Sequence, residues 1–591
     1  MPLRPPLFHP LSLSLLFAAA PCMAASPALP TPAPAATTGV LPMPAGVWAP
    51  DAGDGSYRNP VLAGDWSDPD VVRVGDDYWL TASSFANVPG LPLLHSKDLV
   101  NWTLVGHALP RLPQDGHHRV PRRGGGVWAP AIRHHDGLFR IYYPDPDFGI
   151  YVVTAKDPAG PWSAPVLVEG AKGVIDPAPF WDDDGQGWLA YSYAKSRSGK
   201  INLVALKRLN ADGTRTVGEE HVVINGDTLP PVETSDGPKP WVVIEGAKLY
   251  KRDGWYWIFA PAGGVKGGWQ AAFRARDILG PYEARNVMDQ GTTPVNGPHQ
   301  GAWIDTPGGE HWFVHFSDAD AYGRRAHLQP LQWNAEGWPL IGQPQPGTHR
   351  GQPVIAQRKP ALPAQPRAVP VVDDTFDDGF HLGWQWNSNP SEDWHDASAR
   401  GVLRLKSASS PANLWEAGHV LSQKLPGMAF TATAQLRFAP AAVGERAGLA
   451  MFGADYGWVG LEKTGDGVRL VQVARADAAT GGEERITASA TAPGDGPVWL
   501  RVEGQPQGAT VAPPADPTRY WPSMTRAVHA RAQFSYSLDG RSFQPLGGPV
   551  EVTQGRWVGA QLGLFAQAPA GTPAFTATRV GHADFDDFQV R

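Results

Sequence analysis

The chain has 591 residues, a formal net charge of −7, 67 glycines, 60 prolines and 24 tryptophans. This length exceeds what one hydrophobic core supports, so two folded domains are expected. The negative charge argues against a nucleic-acid partner, which would need a basic stripe. Many turn-forming residues together with many aromatic residues indicate an all-β protein with an aromatic-lined groove, and aromatic faces bind the apolar faces of sugar rings.

Residues 1–25 have the features of a signal peptide. Arg4 supplies a positive start, residues 11–20 form an apolar run, and small residues follow it. The run is too short to cross a bilayer, and no later stretch is long and apolar enough to form a membrane helix. We therefore predict a secreted or periplasmic protein with no membrane partner. The single cysteine, Cys22, lies within this segment, so the mature chain has no disulfide and no thiolate ligand.

Residues 26–55 are rich in alanine and proline and predict a flexible lead-in. From residue 56 to residue 350 one pattern returns, namely a hydrophobic strand, a turn rich in aspartate and glycine, and an aromatic strand. Each copy predicts a β-hairpin. The turns of the five copies lie at residues 75–77, 136–137, 182–185, 253–254 and 305–308. Five copies at this spacing predict a five-bladed β-propeller, although a sandwich can show hairpins at the same density.

The composition changes near residue 351. Residues 351–371 hold repeated proline and alanine and predict a linker. Residues 372–591 follow with many short alternating strands and no helical pattern, which predicts a β-sandwich. Within this domain, residues 505–525 are rich in proline, glycine and alanine and predict an inserted surface loop.

Acidic residues or a histidine stand just before four of the five hairpins: Asp68, Asp176, Glu245 and His299. In a propeller the innermost strand of each blade lines the axis, so residues at equivalent strand starts converge at one end. Pro69 also predicts an extended conformation for Asp68. Three carboxyl groups around one pocket suit glycoside hydrolysis, which uses one carboxylate for water and one protonated acid for the leaving oxygen.

Each of these residues also has a structural alternative. The two aspartates could close turns, Glu245 could face water at a strand end, and His299 could be a satisfied loop histidine. Arg324 could be half of a structural ion pair. Four aromatic residues are candidates for sugar contact, with core packing as the alternative: Trp66, Phe85, Trp128 and Trp269.

Several stretches of the first half resemble glycoside hydrolase family 43, the five-bladed propeller enzymes that act on arabinosides and xylosides. They include SDPDVVRVGDDYWLTASSF, GVWAPAIRHHDGLFRIYY, VIDPAPFWDDDG, IEGAKLYKRDGWYWIFAPAGGVKGGWQ, GPHQGAWIDTP and YGRRAHLQPLQW. The resemblance implies that Asp68 is the general base and Glu245 the general acid. It implies that Asp176 orients the acid and tunes its pKa, and that the reaction inverts the anomeric configuration.

The resemblance also implies two further residues near the axis. Arg324 matches a pocket arginine beside the acidic residues. His299 matches a position where family members hold a water-coordinated ion, often calcium, or only water, so no cofactor is required and a calcium ion is possible. The second half resembles the concanavalin A-like sandwich of many xylosidase and arabinofuranosidase members, in LGWQWNSNPSEDWHDASARGVLRLKS and FSYSLDGRSFQPLG.

The leading prediction is a secreted, inverting exo-glycosidase that releases arabinofuranose or xylose from plant cell-wall oligosaccharides of hemicellulose or pectin. An endo-arabinanase is the first alternative, but it needs an open cleft, and in family members the sandwich can lend a loop that closes the pocket. A non-catalytic sugar-binding propeller is the second alternative. Such a protein has no reason to place Asp68, Asp176 and Glu245 at matching blade positions.

Overall fold

The computed structural model describes Met1 and residues 45–396, 398–476, 481–492, 494, 496–510, 526–572 and 581–591. The predicted signal peptide after Met1 and residues 26–44 of the lead-in lie outside the described residues. Within them, almost all regular structure is β. The helices α1 (Asp115–His118) and α2 (Lys195–Ser198) are one turn long, and three 3₁₀ turns complete the helical content: Gly226–Thr228, Asp320–Tyr322 and Leu414–Glu416.

Residues 70–341 form five blades, each with four antiparallel strands in chain order. β1 (Ser56–Arg58) precedes them. Blade 1 contains β2 (Asp70–Val74), β3 (Asp77–Thr81), β4 (Gly90–Ser96) and β5 (Thr103–Leu109), and blade 2 contains β6 (Ala131–His135), β7 (Leu138–Asp145), β8 (Gly149–Ala155) and β9 (Val166–Glu169). Blade 3 contains β10 (Val174–Trp181), β11 (Gly187–Tyr193), β12 (Leu203–Leu209) and β13 (Thr216–Asn225), followed by the hairpin β14 (Val232–Thr234) and β15 (Gly237–Lys239). Blade 4 contains β16 (Lys248–Arg252), β17 (Trp255–Ala262), β18 (Trp269–Ala275) and β19 (Glu283–Asp289), and blade 5 contains β20 (His299–Asp305), β21 (His311–Asp318), β22 (Arg324–Trp333) and β23 (Pro339–Ile341). The five predicted hairpins are the first two strands of each blade, and the five-bladed propeller is confirmed.

Hydrophobic side chains hold each blade to the next. A separate buried cluster lies between every pair of neighbouring blades, including blades 5 and 1, so the ring of blades is closed. Polar contacts near the axis reinforce these cores. For example, Asp70 at the start of β2 accepts a hydrogen bond from Ile132 N (2.8 Å) and pairs with Arg133 (2.6 Å) of blade 2. The first strand of each blade therefore stands beside the first strand of the next, around one axis.

The predicted linker is bound to the propeller along much of its length. β24 (Gln343–Pro344) and β25 (Gly351–Gln352) extend the sheet of blade 4, and β26 (Ala356–Arg358) pairs with β1. Lys359 then lies between Asp51 (2.8 Å) and Asp98 (2.9 Å). Because Asp51 belongs to the lead-in, the described end of that segment is held in place as well. Specific contacts therefore hold much of the predicted linker, and residues 45–55 of the lead-in, against the propeller.

The second domain is a sandwich of two sheets, as predicted. One sheet has the order β27-β30-β40-β32-β33-β34-β35 with β29 added beside β40, and the other has the order β28-β41-β31-β36-β37-β38 with β39 beside β37. The strands are β27 (Gln385–Trp386), β28 (Leu403–Lys406), β29 (Ala408–Ser409), β30 (Leu421–Lys424), β31 (Phe430–Ala439), β32 (Arg446–Phe452), β33 (Tyr456–Thr464), β34 (Gly467–Arg475), β35 (Glu484–Thr491), β36 (Val498–Thr510), β37 (Arg526–Ser537), β38 (Gln544–Pro545), β39 (Val550–Val552), β40 (Gln561–Ala568) and β41 (His582–Val590). The predicted loop over residues 505–525 begins too early, because β36 continues to Thr510 by pairing with β37, and residues 511–525 lie outside the described residues.

The sandwich is packed directly against the propeller. Val88 of the propeller and Trp386 of the sandwich exchange two backbone hydrogen bonds of 2.9 and 2.7 Å. Ala560 N donates to Ala321 O at 2.7 Å, and the buried side chain of Tyr322 belongs to the sandwich core. The two domains therefore share backbone pairing and hydrophobic core near one end of the propeller axis.

Candidate active site

A cavity of about 240 Å³ opens at the axial end of the propeller that faces the sandwich. It brings together residues that are far apart in the sequence but occupy similar places in their blades. Its lining consists of Asp68, Phe85, Trp128, Ala129, Ile175, Asp176, Val243, Glu245, Gly264, Val265, His299, Gln300, Arg324 and Trp557. Seven of the nine residues predicted at this site line the cavity, and Trp66 and Trp269 do not.

Asp68 is buried beside two hydroxyl groups and one guanidinium group. Its Oδ2 accepts hydrogen bonds from Ser67 Oγ and Ser83 Oγ, both at 2.6 Å. Arg324 Nη1 lies 3.8 Å from the same oxygen and donates to Ser67 Oγ at 3.0 Å. The backbone of Asp68 has a φ of +54°, so the predicted extended conformation is wrong. Backbone strain of this kind is concentrated at functional sites, and Asp68 lines the cavity.

Asp176 stands in a bulge of the innermost strand of blade 3. The pairing of β10 with β11 shifts between Ile175 and Ala178, and Asp176 has a φ of +56°. A bulge re-aims a side chain that would otherwise alternate along the strand. Asp176 Oδ2 accepts a hydrogen bond from Gly246 N at 2.7 Å, next to Glu245 in the chain. Burial, assisted by the negative charge of Asp68, raises the pKa of Asp176 to about 7.

Glu245 lies at the end of the segment before β16. Burial raises the pKa of Glu245 well above its ordinary value of 4.5, and the negative charges of Asp176 and Asp68 raise it further. Arg324 opposes this shift. Glu245 Oε1 is 3.5 Å from His299 Nε2.

Asp176 and Glu245 repel each other's negative charge, so they compete for a proton. Asp176 is stabilised as the anion by the N–H of Gly246, by the ammonium group of Lys248 and by the side chain of Gln300. For Glu245, only the positive charge of Arg324 favours the anion. The proton is therefore held by Glu245, and a carboxylic acid remains available near neutral pH.

His299 is fully buried, and neither of its ring nitrogens has a hydrogen-bond partner in the described part of the chain. Burial lowers the pKa of His299 to about 3, so the imidazole is neutral. Calcium prefers six to eight oxygen ligands. No group of three or more histidine, cysteine, aspartate or glutamate side chains suited to a metal occurs among the described residues. One imidazole is too small a donor set to bind calcium directly, so an ion at His299 would be held through water.

Two of the four candidate aromatic residues line the cavity. The backbone of Phe85 pairs with that of Val127, and Gly126 is required between them because a Cβ there would lie 2.2 Å from Phe85 O. Trp128 follows, and its indole nitrogen donates to Gly124 O at 3.1 Å.

Trp66 and Trp269 lie outside the cavity. Trp269 is fully buried in the core between blades 3 and 4. Trp66 is buried against the sandwich, with Lys424 Nζ 5.0 Å from its ring. Trp269 therefore belongs to the core and Trp66 to the domain interface, and neither lines the cavity that holds the carboxyl groups.

Trp557 is a lining residue that sequence reasoning missed. It belongs to the sandwich, it is 41% exposed, and its ring meets that of Trp128 edge-to-face at 6.5 Å. The loop that carries it can approach because Gly559 lies against Gly323, where a Cβ would come within 2.5 Å of the backbone. In the sequence, Gly555 and Gly559 flank Arg556 and Trp557. These glycines are the local signal that the backbone of this loop comes close to another segment.

Three carboxyl groups, two of them with a raised pKa, in a small cavity walled by aromatic rings are the groups that a glycoside hydrolase uses, and this is the class of the protein. The chain belongs to glycosyl hydrolases family 43, whose model matches residues 57–339. Residues 373–591 match the beta xylosidase C-terminal concanavalin A-like domain.

Individual relatives agree with this family. A protein of Xylanibacter ruminicola, whose name places it with the beta-xylosidases, is 35% identical over 514 residues, which are 87% of this chain and 86% of the relative. A non-reducing end alpha-L-arabinofuranosidase of Bacteroides ovatus is 29% identical over 452 residues, 71% of this chain and 78% of the relative. The crystal structure of a xylan beta-1,4-xylosidase from Bacillus halodurans, 24% identical, shares the fold with a TM-score of 0.74 over 90% of this chain and 99% of that one.

Proposed function

We propose that the protein is an inverting exo-glycosidase that removes a terminal xylose or arabinofuranose from plant cell-wall oligosaccharides. The observation that carries the proposal is the group of Asp68, Asp176 and Glu245 from three blades in one cavity, with the pKa of Glu245 raised. The relatives named for beta-xylosidase and arabinofuranosidase activity support these two sugars.

In this mechanism Glu245 donates its proton to the glycosidic oxygen as the C–O bond breaks. A water molecule attacks the anomeric carbon from the opposite face, and Asp68 accepts a proton from that water. The product sugar has the inverted configuration, and Glu245 is left as the anion while Asp68 is left protonated, so one proton must return to Glu245 through solvent. The two serine hydroxyl groups donate hydrogen bonds to Asp68 Oδ2 and hold this carboxylate in position.

The cavity supports an exo mode of action. Its volume of about 240 Å³ is below the ~300–1,000 Å³ of pockets for drug-sized ligands. Trp557 of the sandwich stands at its wall, beside Trp128 of blade 2. An endo-arabinanase would need a cleft that passes through this wall, and this observation favours the exo-glycosidase over that alternative.

The test uses the purified protein and pairs of substrates. Aryl xyloside and aryl arabinofuranoside identify the terminal sugar, and proton NMR of the first product formed identifies the anomer. Glu245→Ala should slow cleavage of a natural sugar leaving group by about 10²–10⁴-fold and should slow cleavage of a dinitrophenyl glycoside far less, because dinitrophenolate leaves without a proton.

Asp68→Ala should slow both substrates alike, and azide should restore some turnover as an inverted glycosyl azide. Asp184→Asn is the control, since Asp184 is in an exposed turn of blade 3. Retained configuration in the product would refute inversion, and equal losses on both substrates for Glu245→Ala would refute its role as the acid.

No helix among the described residues is long and apolar enough to cross a membrane. We further propose that residues 1–25 direct export to the periplasm or the medium and are removed. Mass determination of the protein from its native host should show a chain that begins near residue 26. A cell-retained chain that still begins at Met1 would contradict export.

A further inference from the structure

A second cavity, of about 540 Å³, lies next to the catalytic cavity. The two cavities share Trp128 and Trp557, so they adjoin at this pair of rings, and a substrate that extends out of the catalytic cavity past the edge of the pair reaches the second one. The second cavity lies at the junction of propeller and sandwich, and the sandwich supplies half of its lining residues. We call it the arginine cavity, lined by Arg123, Gly124, Trp128, Ser196, Arg197, Trp415, Ala454, Gly555, Arg556 and Trp557.

The charge of the arginine cavity is opposite to that of the whole protein. Three guanidinium groups line it, and none of the described residues that line it is an aspartate or a glutamate. The chain as a whole carries a formal charge of −7. Such a local excess of positive charge attracts an anion and stabilises it once bound.

The three arginines differ in how firmly they are held. Arg123 donates to Trp415 O at 2.8 Å and stacks on that ring, with Cζ 4.6 Å from its centroid. Arg197 Nε donates to Asp147 Oδ1 at 3.2 Å, and its Nη1 donates to Ser196 Oγ at 3.0 Å. Arg556 is exposed and forms no ion pair or hydrogen bond with the described residues, and its guanidinium group lies 4.8 Å from the Trp557 ring.

A structural role explains Arg123, which joins the two domains, but it does not explain Arg556. The stem of Arg556 packs over Gly124, and the charged end remains at the cavity. A guanidinium group binds a carboxylate with two parallel hydrogen bonds, and tryptophan faces bind sugar rings. The combination suits a sugar ring that carries a carboxylate group.

We propose that the arginine cavity is the leaving-group side of the substrate site and that it binds a uronic acid residue. This inference rests on the proposed function, because it assumes that the terminal sugar occupies the catalytic cavity. The preferred substrate is then an acidic oligosaccharide, in which a neutral terminal pentose is attached to a part that carries a uronic acid.

A binding experiment and a cleavage experiment test the uronic acid site separately. Binding is measured by calorimetry with the Glu245→Gln variant, which cannot protonate a leaving group. The first ligand is a pentose-capped oligosaccharide that carries a uronic acid, and the second is the same oligosaccharide with the carboxylate reduced to an alcohol. We expect the acidic ligand to bind about tenfold more tightly at low salt, and the difference to shrink at 0.5 M salt. In the Arg556→Ala background the preference should fall at least threefold. Arg541→Ala, which changes another exposed arginine of the sandwich, should leave it unchanged.

The wild-type enzyme is then assayed on 4-carboxyphenyl and 4-carbamoylphenyl glycosides of the preferred pentose. Higher kcat/KM for the carboxylate, lost in Arg556→Ala, supports the inference. Equal binding of the acidic and the neutral oligosaccharide overturns it. A binding preference without cleavage of either glycoside would refute the proposed function while leaving the uronic acid site supported.

Discussion

At the scale of single residues, we expect the repulsion between the carboxyl groups of Asp176 and Glu245 to set the pH range of activity. The negative charge of Asp176 raises the pKa of Glu245. Asp176→Asn removes that charge and keeps an oxygen that can accept from Gly246 N. We expect the pKa of Glu245 to fall, so the alkaline limb of the kcat/KM profile should move to lower pH, with a loss of about 10–100-fold at neutral pH. An unmoved alkaline limb, with Asp184→Asn as the reference, would show that Asp176 does not tune the acid.

Asp176→Asn should also have a larger free energy of unfolding than the wild type at neutral pH. The folded-state pKa of Asp176 is about 7, above the ordinary 3.8, so the folded state binds this proton more tightly than the unfolded state does. Below pH 3.8 the group is protonated in both states and has no effect. Between pH 3.8 and 7 the free energy of unfolding of the wild type falls as pH rises. Asp176→Asn does not show this fall, because asparagine does not titrate.

Urea unfolding of both proteins at pH 4 and pH 7.5 measures the effect. We expect a gain in the free energy of unfolding on the order of 1–4 kcal/mol at pH 7.5 and little difference at pH 4. A gain of the same size at both pH values would mean that the change in packing, and not the titration, produces it.

At the scale of elements, one buried aspartate joins three parts of the site. Asp320, in the 3₁₀ turn after β21, pairs with Lys266 of the loop whose Gly264 and Val265 line the cavity. Its Oδ2 accepts from Val528 N of β37 at 2.9 Å. The sandwich thereby holds a wall of the catalytic cavity through one carboxylate.

Asp320→Ala should leave Lys266 buried without its partner. Breaking a buried pair from one side costs about 3–5 kcal/mol, so the Tm should fall and the loop should lose its position. We expect KM to rise with little change in the pH profile, since Asp320 touches no reacting atom. Asp320→Asn keeps the acceptor for Val528 N and should recover part of the loss. A shifted pH profile with an unchanged KM would contradict a positioning role.

At the scale of the whole molecule, the propeller is incomplete without the sandwich. The catalytic cavity takes Trp557 from the sandwich, and Tyr322 of the propeller is buried in the sandwich core. Residues 45–371 produced alone would expose these surfaces to water. We expect the shortened protein to aggregate or to unfold at a lower temperature than the full chain, and to lose activity. Thermal unfolding and aryl glycoside assays measure this, and a stable, fully active fragment would show that the domains are independent.

Much of this architecture follows from local sequence. Alternating strands around aspartate and glycine turns predicted five hairpins, because a period of two residues and a tight turn are properties of neighbours in the chain. The same spacing predicted that Asp68, Asp176 and Glu245 share a position within their blades. Local sequence did not predict their backbone geometry, since the strained φ of Asp68 is maintained by the surroundings and not by Pro69.

The sequence by itself determined the all-β class, the repeat and the acids that meet at the axis. Only the tertiary structure decided which aromatic rings face the cavity. Trp66 and Trp269 are covered by other parts of the protein, whereas Trp557 reaches the cavity from more than 400 residues beyond Phe85 in the chain. The physical reason is that exposure of a ring depends on which surfaces pack over it, and no local pattern records a contact between domains.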